Sequence, residues 1–208
     1  MRDGSWRALA RYQRLRRFFL MPVIVLLLAG CLFGQSLMPP GSASHDFFVM
    51  FGQTLIVVGV IGRLWSTLYI GGRKRSGLAT TGPYSVSRNP LYLFSTIAAA
   101  GIGALTGSVV AMLLFGLVCA GAFHVVILRE EKYLSANLGG AYDRYKVSVP
   151  RFIPALSLYQ EEKNPTFEPN ILTKALFDSL AFLAAVPAFK TIEIAQQAGL
   201  LPILFRLP

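Results

Sequence analysis

The hydrophobic pattern of this 208-residue sequence consists of long apolar runs separated by short polar segments. Runs without any Asp, Glu, Lys or Arg cover residues 18–38, 47–62 and 91–128, and the second continues past Arg63 to residue 70. A helix of about 20 apolar residues crosses the hydrocarbon core of a bilayer. The first two runs therefore predict transmembrane helices at about 18–38 and 47–70.

The third run is too long for one span and breaks at residues 105–108, where the sequence is Leu-Thr-Gly-Ser. We expect a helical hairpin with arms at 91–105 and 109–128. The first arm reaches only about 22 Å, which is less than the roughly 30 Å of the hydrocarbon core. The second arm should continue to about Asn137, followed by a break at Gly139-Gly140 and a shorter helix over 141–147.

A weaker apolar run covers residues 172–189 and contains Lys174, Asp178 and Pro187. It is a candidate fifth helix, which either crosses the membrane or lies along its surface. No repeat or linker divides the chain into two parts. The pattern therefore predicts an all-α fold, a polytopic transmembrane helical bundle forming a single membrane-embedded domain over 1–208.

Composition supports a membrane protein. The chain is 54% hydrophobic and 14% charged, whereas soluble domains average about 45–50% apolar and about 25% charged residues. Both cysteines, Cys31 and Cys119, lie inside apolar runs and form neither a disulfide framework nor a set of metal ligands. We expect no metal site.

The net charge of +10 is distributed by segment. Six basic residues precede residue 18, four lie between 71 and 90, and seven lie between 129 and 174, whereas 39–46 and 106–108 contain none. This asymmetry follows the positive-inside rule. It predicts an inner-membrane protein whose amino terminus, 80–92 segment and 129–154 segment are cytoplasmic, with anionic lipids rather than nucleic acid as its partners.

The amino terminus also resembles a cleaved export signal, because Arg16-Arg17 precede an apolar stretch that reaches Cys31. We expect instead an uncleaved first helix, since the apolar run continues to Met38.

The polar segment TTGPYSVSRNPLY occupies residues 80–92, between two apolar runs. Pro83 suits a turn, and Pro90 suits the first position of a helix. Backbone N–H groups at that helix start, with Arg88 beside them, could bind an anion such as a carboxylate. The alternative is simple helix capping at a membrane boundary.

The second polar element begins at Glu130 and Glu131, which are close to the membrane interface. They either form an interfacial charge cluster with nearby basic residues or bind a cationic ligand. His124 lies on the same helix face as Glu131, and we expect it to be buried and hydrogen-bonded rather than a base. A ligand with a carboxylate, a cationic sulfur and an aromatic base would use both elements and the tyrosines near them. S-adenosylmethionine is such a ligand.

The two elements resemble the paired motifs of the isoprenylcysteine carboxyl methyltransferase and phospholipid methyltransferase superfamily. The first is GPYSVSRNPLY at 82–92, and the second runs from Arg129-Glu130-Glu131 through Tyr142 and Tyr145 to Val149-Pro150. The resemblance implies cofactor motifs at 80–92 and 129–154, a cytoplasmic cofactor-binding region, and S-adenosylmethionine as cofactor. It also implies a lipid or prenylated substrate taken from the bilayer.

Carried onto matching positions, the resemblance implies two groups of site residues. Glu131 and Arg88 would be catalytic. The residues that would line the cofactor site are Gly82, Pro83, Tyr84, Arg88, Asn89, Pro90, Tyr92, Glu130, Glu131, Tyr142 and Tyr145.

Three residues depart from the family pattern. Asn89 stands where the family usually has histidine, Phe94 where many relatives have glycine, and Ile127 near an arginine of the prenylcysteine branch. Phe94 would narrow the pocket or redirect the substrate channel.

Methyl transfer from a sulfonium is an in-line displacement, so positioning in a water-poor site should be the main contribution of the protein. Two acceptors remain open: a prenylated thiol carboxylate, as in isoprenylcysteine carboxyl methyltransferases, and a phospholipid amine. The other class is a non-catalytic membrane scaffold that retains the fold.

Overall fold

The structure is a computed structural model that describes Leu27 and residues 29–71, 78–162 and 168–208. In chain order the elements are β1 (Gly34–Ser36), α1 (Ala43–Gly71), α2 (Pro83–Val86), α3 (Pro90–Ala104), α4 (Val109–Leu138), α5 (Gly140–Ser148), a 3₁₀ turn (Leu156–Leu158), α6 (Pro169–Gln197) and β2 (Phe205–Leu207). Within the described residues, Ala43–Ile70, Val109–Leu138 and Pro169–Gln197 are long and apolar enough to cross a membrane. The fold is the all-α polytopic bundle that the sequence predicts.

The hairpin and the helices beside it follow the predicted pattern. α1 covers the predicted span 47–70 but begins at Ala43, where Ser42 Oγ accepts from the backbone N–H of His45 at 3.3 Å. α3 is the short arm, and α4 continues past the membrane span to Leu138. α5 follows the Gly139 break.

The first predicted helix, 18–38, differs from the structure at its end. Residues 18–26 and Leu28 lie outside the described residues, and the chain is helical at Leu27 and at 29–33. The helix does not reach Met38, because Gly34–Ser36 leaves it and pairs in parallel with Phe205–Leu207 near the carboxyl terminus. The prediction of a helix through residue 38 is therefore wrong.

Glycines allow α1 and α3 to approach closely. A Cβ added to Gly101 would lie 2.7 Å from the carbonyl oxygen of Gly52, and one added to Gly59 would lie 2.7 Å from that of Phe94. Small residues at such crossings replace side-chain contacts by backbone contacts, which is how helices associate in lipid. This crossing fixes α3 against α1 and so positions the loop that precedes α3.

α6 runs along the bundle from one end to the other. Its length of 29 residues corresponds to about 44 Å. At the end of α6, Gln196 Nε2 donates to the carbonyl oxygens of Leu32 and Gly34 at 2.9 and 3.1 Å. Beyond α6, the carbonyl of Pro208 accepts from Ser108 Oγ at 2.6 Å. The predicted candidate helix 172–189 is thus longer than expected, and the interior Pro187 does not end it.

Arg63 connects three helices inside the bundle. Its Nη1 donates to Ser95 Oγ on α3, and its guanidinium lies 5.2 Å from the ring centroid of Phe182 on α6. A charged group within a membrane span needs such partners. α6 is therefore part of the bundle, and it packs against α1.

Candidate functional site

A cavity of about 520 Å³ lies at the end of the bundle where α3 begins. Pockets for small ligands are typically about 300–1,000 Å³. Its walls come from the end of α1, the 78–92 segment, the exposed end of α4 and α5. The lining residues are Ile70, Leu78, Ala79, Tyr84, Arg88, Asn89, Leu91, Tyr92, Glu130, Glu131, Leu134, Leu138, Tyr142 and Tyr145.

The loop before α3 is shaped by a glycine and two prolines. Gly82 has φ +59°, and a Cβ there would lie 2.3 Å from the Tyr69 ring, so neither the backbone nor the space suits another residue. Pro83 and Pro90 begin α2 and α3, where a missing N–H costs nothing. These three residues set the path of the chain around Arg88.

Residues 150–162, here called the strap, run along this loop and bond to it. The amide of Arg88 donates to the Pro150 carbonyl at 2.9 Å, that of Ala155 to the Val86 carbonyl at 2.9 Å, and that of Gly82 to the Gln160 carbonyl at 2.7 Å. The strap therefore fixes the two motifs to each other by backbone hydrogen bonds.

The two motifs meet at a buried ion pair. Arg88 Nη1 lies 3.2 Å from Glu131 Oε1, and the two side chains are 7% and 5% exposed. From the strap, Arg151 Nε donates to Oε1 at 3.1 Å and Nη2 to Oε2 at 3.0 Å. One carboxylate is thus held by two guanidinium groups.

Arg88 has unused hydrogen-bonding capacity. Among the described residues, its buried Nε and Nη1 atoms make no aligned hydrogen bond, although Nη1 is in ion-pair contact with Glu131. An unsatisfied buried charged donor is costly. These two nitrogens could therefore donate hydrogen bonds to an anion that enters the cavity.

Glu130 also lines the cavity. Its Oε1 accepts from the Tyr92 hydroxyl at 2.8 Å. The Tyr92 ring in turn packs on Phe123 of α4, with 4.7 Å between ring centroids. This contact joins the first turn of α3 to the membrane end of α4 and places a second carboxylate on the cavity wall.

Three buried tyrosines complete the wall. The Tyr145 hydroxyl donates to the Tyr84 carbonyl at 2.7 Å, and the Tyr142 and Tyr145 rings lie 6.1 Å apart. Burial, and then the nearby Glu131 carboxylate, raises the pKa of Tyr142 to about 12, and the guanidinium groups of Arg88 and Arg151 act in the opposite direction. Burial also raises the pKa of Tyr84 and of Tyr145. All three are neutral at physiological pH and present aromatic faces rather than charges.

Most of the predicted site residues surround the cavity. Those that line it are Tyr84, Arg88, Asn89, Tyr92, Glu130, Glu131, Tyr142 and Tyr145. Gly82, Pro83 and Pro90 are not lining residues, and they shape the loop instead.

The predicted backbone anion site at the start of α3 is largely occupied by internal hydrogen bonds. The amides of Arg88, Asn89 and Tyr92 donate to the Pro150 carbonyl, the Ser87 hydroxyl and the Asn89 carbonyl. In this structure the side chain of Arg88, rather than these amides, offers donors to an anion.

The family departures have structural explanations. Asn89 Nδ2 donates to the Arg151 carbonyl at 2.9 Å, so the amide fixes the strap. Phe94 packs against α1, where a Cβ on Gly62 would lie 2.1 Å from its ring, and it does not line the cavity. Phe94 therefore does not narrow this cavity, and the alternative that it redirects the substrate channel stays a prediction. Ile127 is fully buried, whereas His124 is exposed, contrary to the expectation of a buried histidine.

Sequence reasoning did not single out Arg151. Its only local signal is a basic residue directly after Val149-Pro150, at the end of the second motif. The contact to Glu131 depends on the strap turning back along the loop, which no periodic pattern predicts. Within the described part of the chain, no group of three His, Cys, Asp or Glu side chains is arranged to hold a metal ion.

The fold and the site define the class of protein: a helical membrane protein with a charged, aromatic-lined cavity of ligand size at one end of the bundle. Residues 47–140 match the family model for phospholipid methyltransferase. The sequence is also 35% identical to a protein-S-isoprenylcysteine O-methyltransferase of Schizosaccharomyces pombe over 112 residues, which is 52% of this chain and 48% of that protein. Both matches support assignment of this chain to the isoprenylcysteine carboxyl methyltransferase and phospholipid methyltransferase superfamily.

Two longer similarities are to metal resistance proteins. The nickel-cobalt-cadmium resistance protein NccN of Alcaligenes xylosoxydans xylosoxydans is 36% identical over 157 residues, covering 76% of this chain and 73% of that protein. The cobalt-zinc-cadmium resistance protein CzcN of Cupriavidus metallidurans is 32% identical over 199 residues, covering 95% and 91%. No solved structure gives a significant match.

Proposed function

We propose that this protein is a membrane methyltransferase that uses S-adenosylmethionine to methylate a lipid-like amphiphile. The observation that carries this proposal is the meeting of Arg88 and Glu131, from two separate motifs, in one buried ion pair on the wall of a ligand-sized cavity. Family membership supports methyl transfer as the chemistry.

The cavity residues fit the parts of this cofactor. Arg88, with buried Nε and Nη1 donors that lack hydrogen bonds within the described chain, would bind its carboxylate. Glu130 would face its cationic portion, because both oxygens of Glu131 already contact arginines. Tyr84, Tyr142 and Tyr145 provide aromatic surface for the adenine. When bound, the cofactor supplies a methyl group on a sulfonium.

The protein contributes position and exclusion of water. The strap holds the loop that carries Arg88 by backbone hydrogen bonds, and it holds Glu131 through the side chain of Arg151, so little reorganisation is needed when ligands bind. Ile70, Leu78, Leu91, Leu134 and Leu138 give the cavity an apolar wall against which a greasy chain can pack. A carboxylate acceptor would need no base, whereas an amine would have to lose a proton to a group such as Glu130.

We place the cavity on the cytoplasmic side of an inner membrane. The segments that form it are rich in basic residues, whereas 39–46 and 106–108 at the other end contain none. Orientation of this kind would let a soluble cofactor and a membrane substrate reach the cavity from different phases.

The decisive experiment combines cofactor binding with product identification. The protein in nanodiscs is titrated with S-adenosylmethionine by calorimetry, and membranes containing it are incubated with cofactor labelled in the methyl group. Saturable binding and a labelled lipid would support the proposal, and the lipid would decide between carboxylate and amine acceptors. Absence of saturable binding would favour the non-catalytic scaffold.

A second candidate function is participation in resistance to divalent metals, which the similarity to NccN and CzcN favours. We propose that such a role would act through a methylated product or a partner protein. Growth of a metal-sensitive host on nickel, cobalt, zinc and cadmium would test it. Resistance conferred by the wild type but lost with Arg88→Met would tie it to the cavity, and resistance kept by that variant would separate it from methyl transfer.

A further inference from the structure

The contacts around Glu131 are unequal. Arg151 makes two aligned hydrogen bonds, one to each carboxylate oxygen, at 3.1 and 3.0 Å. Arg88 makes one ion-pair contact, at 3.2 Å, without an aligned hydrogen bond from that nitrogen. The two-point geometry is the stronger and more directional of the two. Glu131 is therefore oriented mainly by Arg151.

Arg151 reaches Glu131 from outside the cavity. It is not a lining residue, and its side chain is 36% exposed. Its backbone is fixed by the first motif, because Asn89 Nδ2 donates to its carbonyl at 2.9 Å and Arg88 N donates to the preceding carbonyl of Pro150 at 2.9 Å. The loop that carries Arg88 thus also positions Arg151.

This arrangement has a consequence for Arg88. Two cations share one carboxylate, so the cluster of Arg88, Arg151 and Glu131 has a net positive charge. If Arg151 were absent, Glu131 could turn to make a two-point pair with Arg88, using the nitrogens that now lack hydrogen bonds. The cluster would then be neutral and would offer fewer donors to the cavity.

We propose that Arg151 is a positioning residue. Its two hydrogen bonds hold the Glu131 carboxylate, so that Arg88 can donate to the carboxylate of the cavity ligand. This inference rests on the proposed function, because it takes S-adenosylmethionine as that ligand. It assigns Glu131 to the ordering of the two arginines rather than to direct attraction of the sulfonium.

The test compares two ligands that differ by one group. S-adenosylmethionine and decarboxylated S-adenosylmethionine both carry the sulfonium, the ammonium and the adenosine, but only the first has the carboxylate. Calorimetry in nanodiscs gives the ratio of their dissociation constants for the wild type, Arg151→Gln, Arg151→Lys and Arg144→Gln. Arg144 is an exposed arginine of α5 and controls for the loss of one positive charge.

We expect the wild type to bind S-adenosylmethionine about tenfold or more tightly than the decarboxylated ligand, as for a charge-assisted contact. Arg151→Gln should reduce this ratio to less than about threefold by weakening S-adenosylmethionine alone. Arg151→Lys, which can make one contact but not the fork, should give an intermediate ratio. Arg144→Gln should leave the ratio unchanged.

Equal weakening of both ligands by Arg151→Gln would mean that Arg151 only supports the fold, and the inference would be wrong. A wild-type ratio near one would also overturn it while leaving the proposed function standing. Failure of the wild type to bind either ligand would instead remove the proposed function. If thermal unfolding shows that Arg151→Gln is not folded, the lysine variant decides, because an unchanged ratio there overturns the inference.

Discussion

Burial and charge conflict at Glu131. Its side chain is only 5% exposed, and the two guanidinium groups beside it compensate for the hydration that the carboxylate loses on burial. Removing one partner of a buried ion pair lowers the free energy of unfolding by more than the pair contributes to it, because the other charge stays buried. The amide of glutamine retains the shape of this side chain but cannot balance the buried Arg88.

We therefore expect Glu131→Gln to abolish methyl transfer and to lower the free energy of unfolding by about 3 kcal/mol. The bundle should still fold, since the helix contacts lie away from this site. Labelled methyl transfer and thermal unfolding in detergent would measure the two effects. Asp143→Asn is the control, because Asp143 is exposed and accepts a hydrogen bond from Ser135 Oγ at 3.1 Å. Near-normal turnover of Glu131→Gln would exclude this residue from the site.

Tyr142 makes the stability of the folded protein depend on pH in the alkaline range. An unfolded tyrosine loses its proton near pH 10, whereas burial and Glu131 raise the pKa of Tyr142 in the folded protein to about 12. Between these values the folded state binds more protons than the unfolded state, so stability falls as pH rises. Below pH 10 the contribution is fully present.

We expect the melting temperature of the wild type to fall between pH 10 and 11.5, and that of Tyr142→Phe to fall less, because phenylalanine has no proton to lose. Thermal unfolding at a series of pH values would measure both slopes. Identical slopes would show that Tyr142 titrates as it does in the unfolded chain.

At the scale of elements, the crossing of α1 and α3 depends on glycine. A Cβ on Gly101 would lie 2.7 Å from the Gly52 carbonyl, whereas nothing lies within 4 Å of a Cβ on Gly121 of α4. Both residues are in helices, so alanine should improve helix propensity equally at both positions. The two substitutions differ only in what the added methyl group meets.

Gly101→Ala should therefore destabilise the protein by about 1–3 kcal/mol through overpacking, and it should lower cofactor affinity because α3 carries Tyr92 and follows Arg88. Gly121→Ala should be neutral or slightly stabilising. Thermal unfolding of the two variants under the same conditions provides the comparison. Equal stability would mean that the helices separate without cost and that the close approach is not needed.

The elements also show what a sequence reveals about this fold. Long apolar runs predicted α1 and both arms of the hairpin, because a membrane demands length and hydrophobicity from each span. The strands at Gly34–Ser36 and Phe205–Leu207 could not be predicted, since the first lies within a charge-free run that looks helical and the second is too short to show an alternating pattern. The strap was missed for another reason: its bonds, such as Gln160 N to Ser85 Oγ, join residues far apart in sequence. Arg151 was missed with it.

At the scale of the whole molecule, the chain appears as a bundle with two chemically different ends. The cavity, the strap and the buried charges occupy one end, and the two short strands occupy the other, where Ser36 Oγ donates to the Gly107 carbonyl at 2.7 Å. Since α6 ends beside β1 and the chain then reaches Ser108, the carboxyl terminus lies at the end opposite the cavity. If α6 crosses the membrane, the strap and the carboxyl terminus face opposite compartments.

Cysteine labelling tests this arrangement. In a background with Cys31→Ala and Cys119→Ala, we expect Ser157→Cys in the strap and Arg206→Cys in β2 to react with a membrane-impermeant maleimide from opposite sides of sealed vesicles. Both positions are exposed, so access depends on the compartment rather than on burial. In inverted inner-membrane vesicles Ser157→Cys should react and Arg206→Cys should be protected until detergent is added, because the basic segments around the cavity favour the cytoplasmic side. Reaction of both cysteines from one side would place α6 along the membrane surface, and the reverse pattern would invert the proposed orientation.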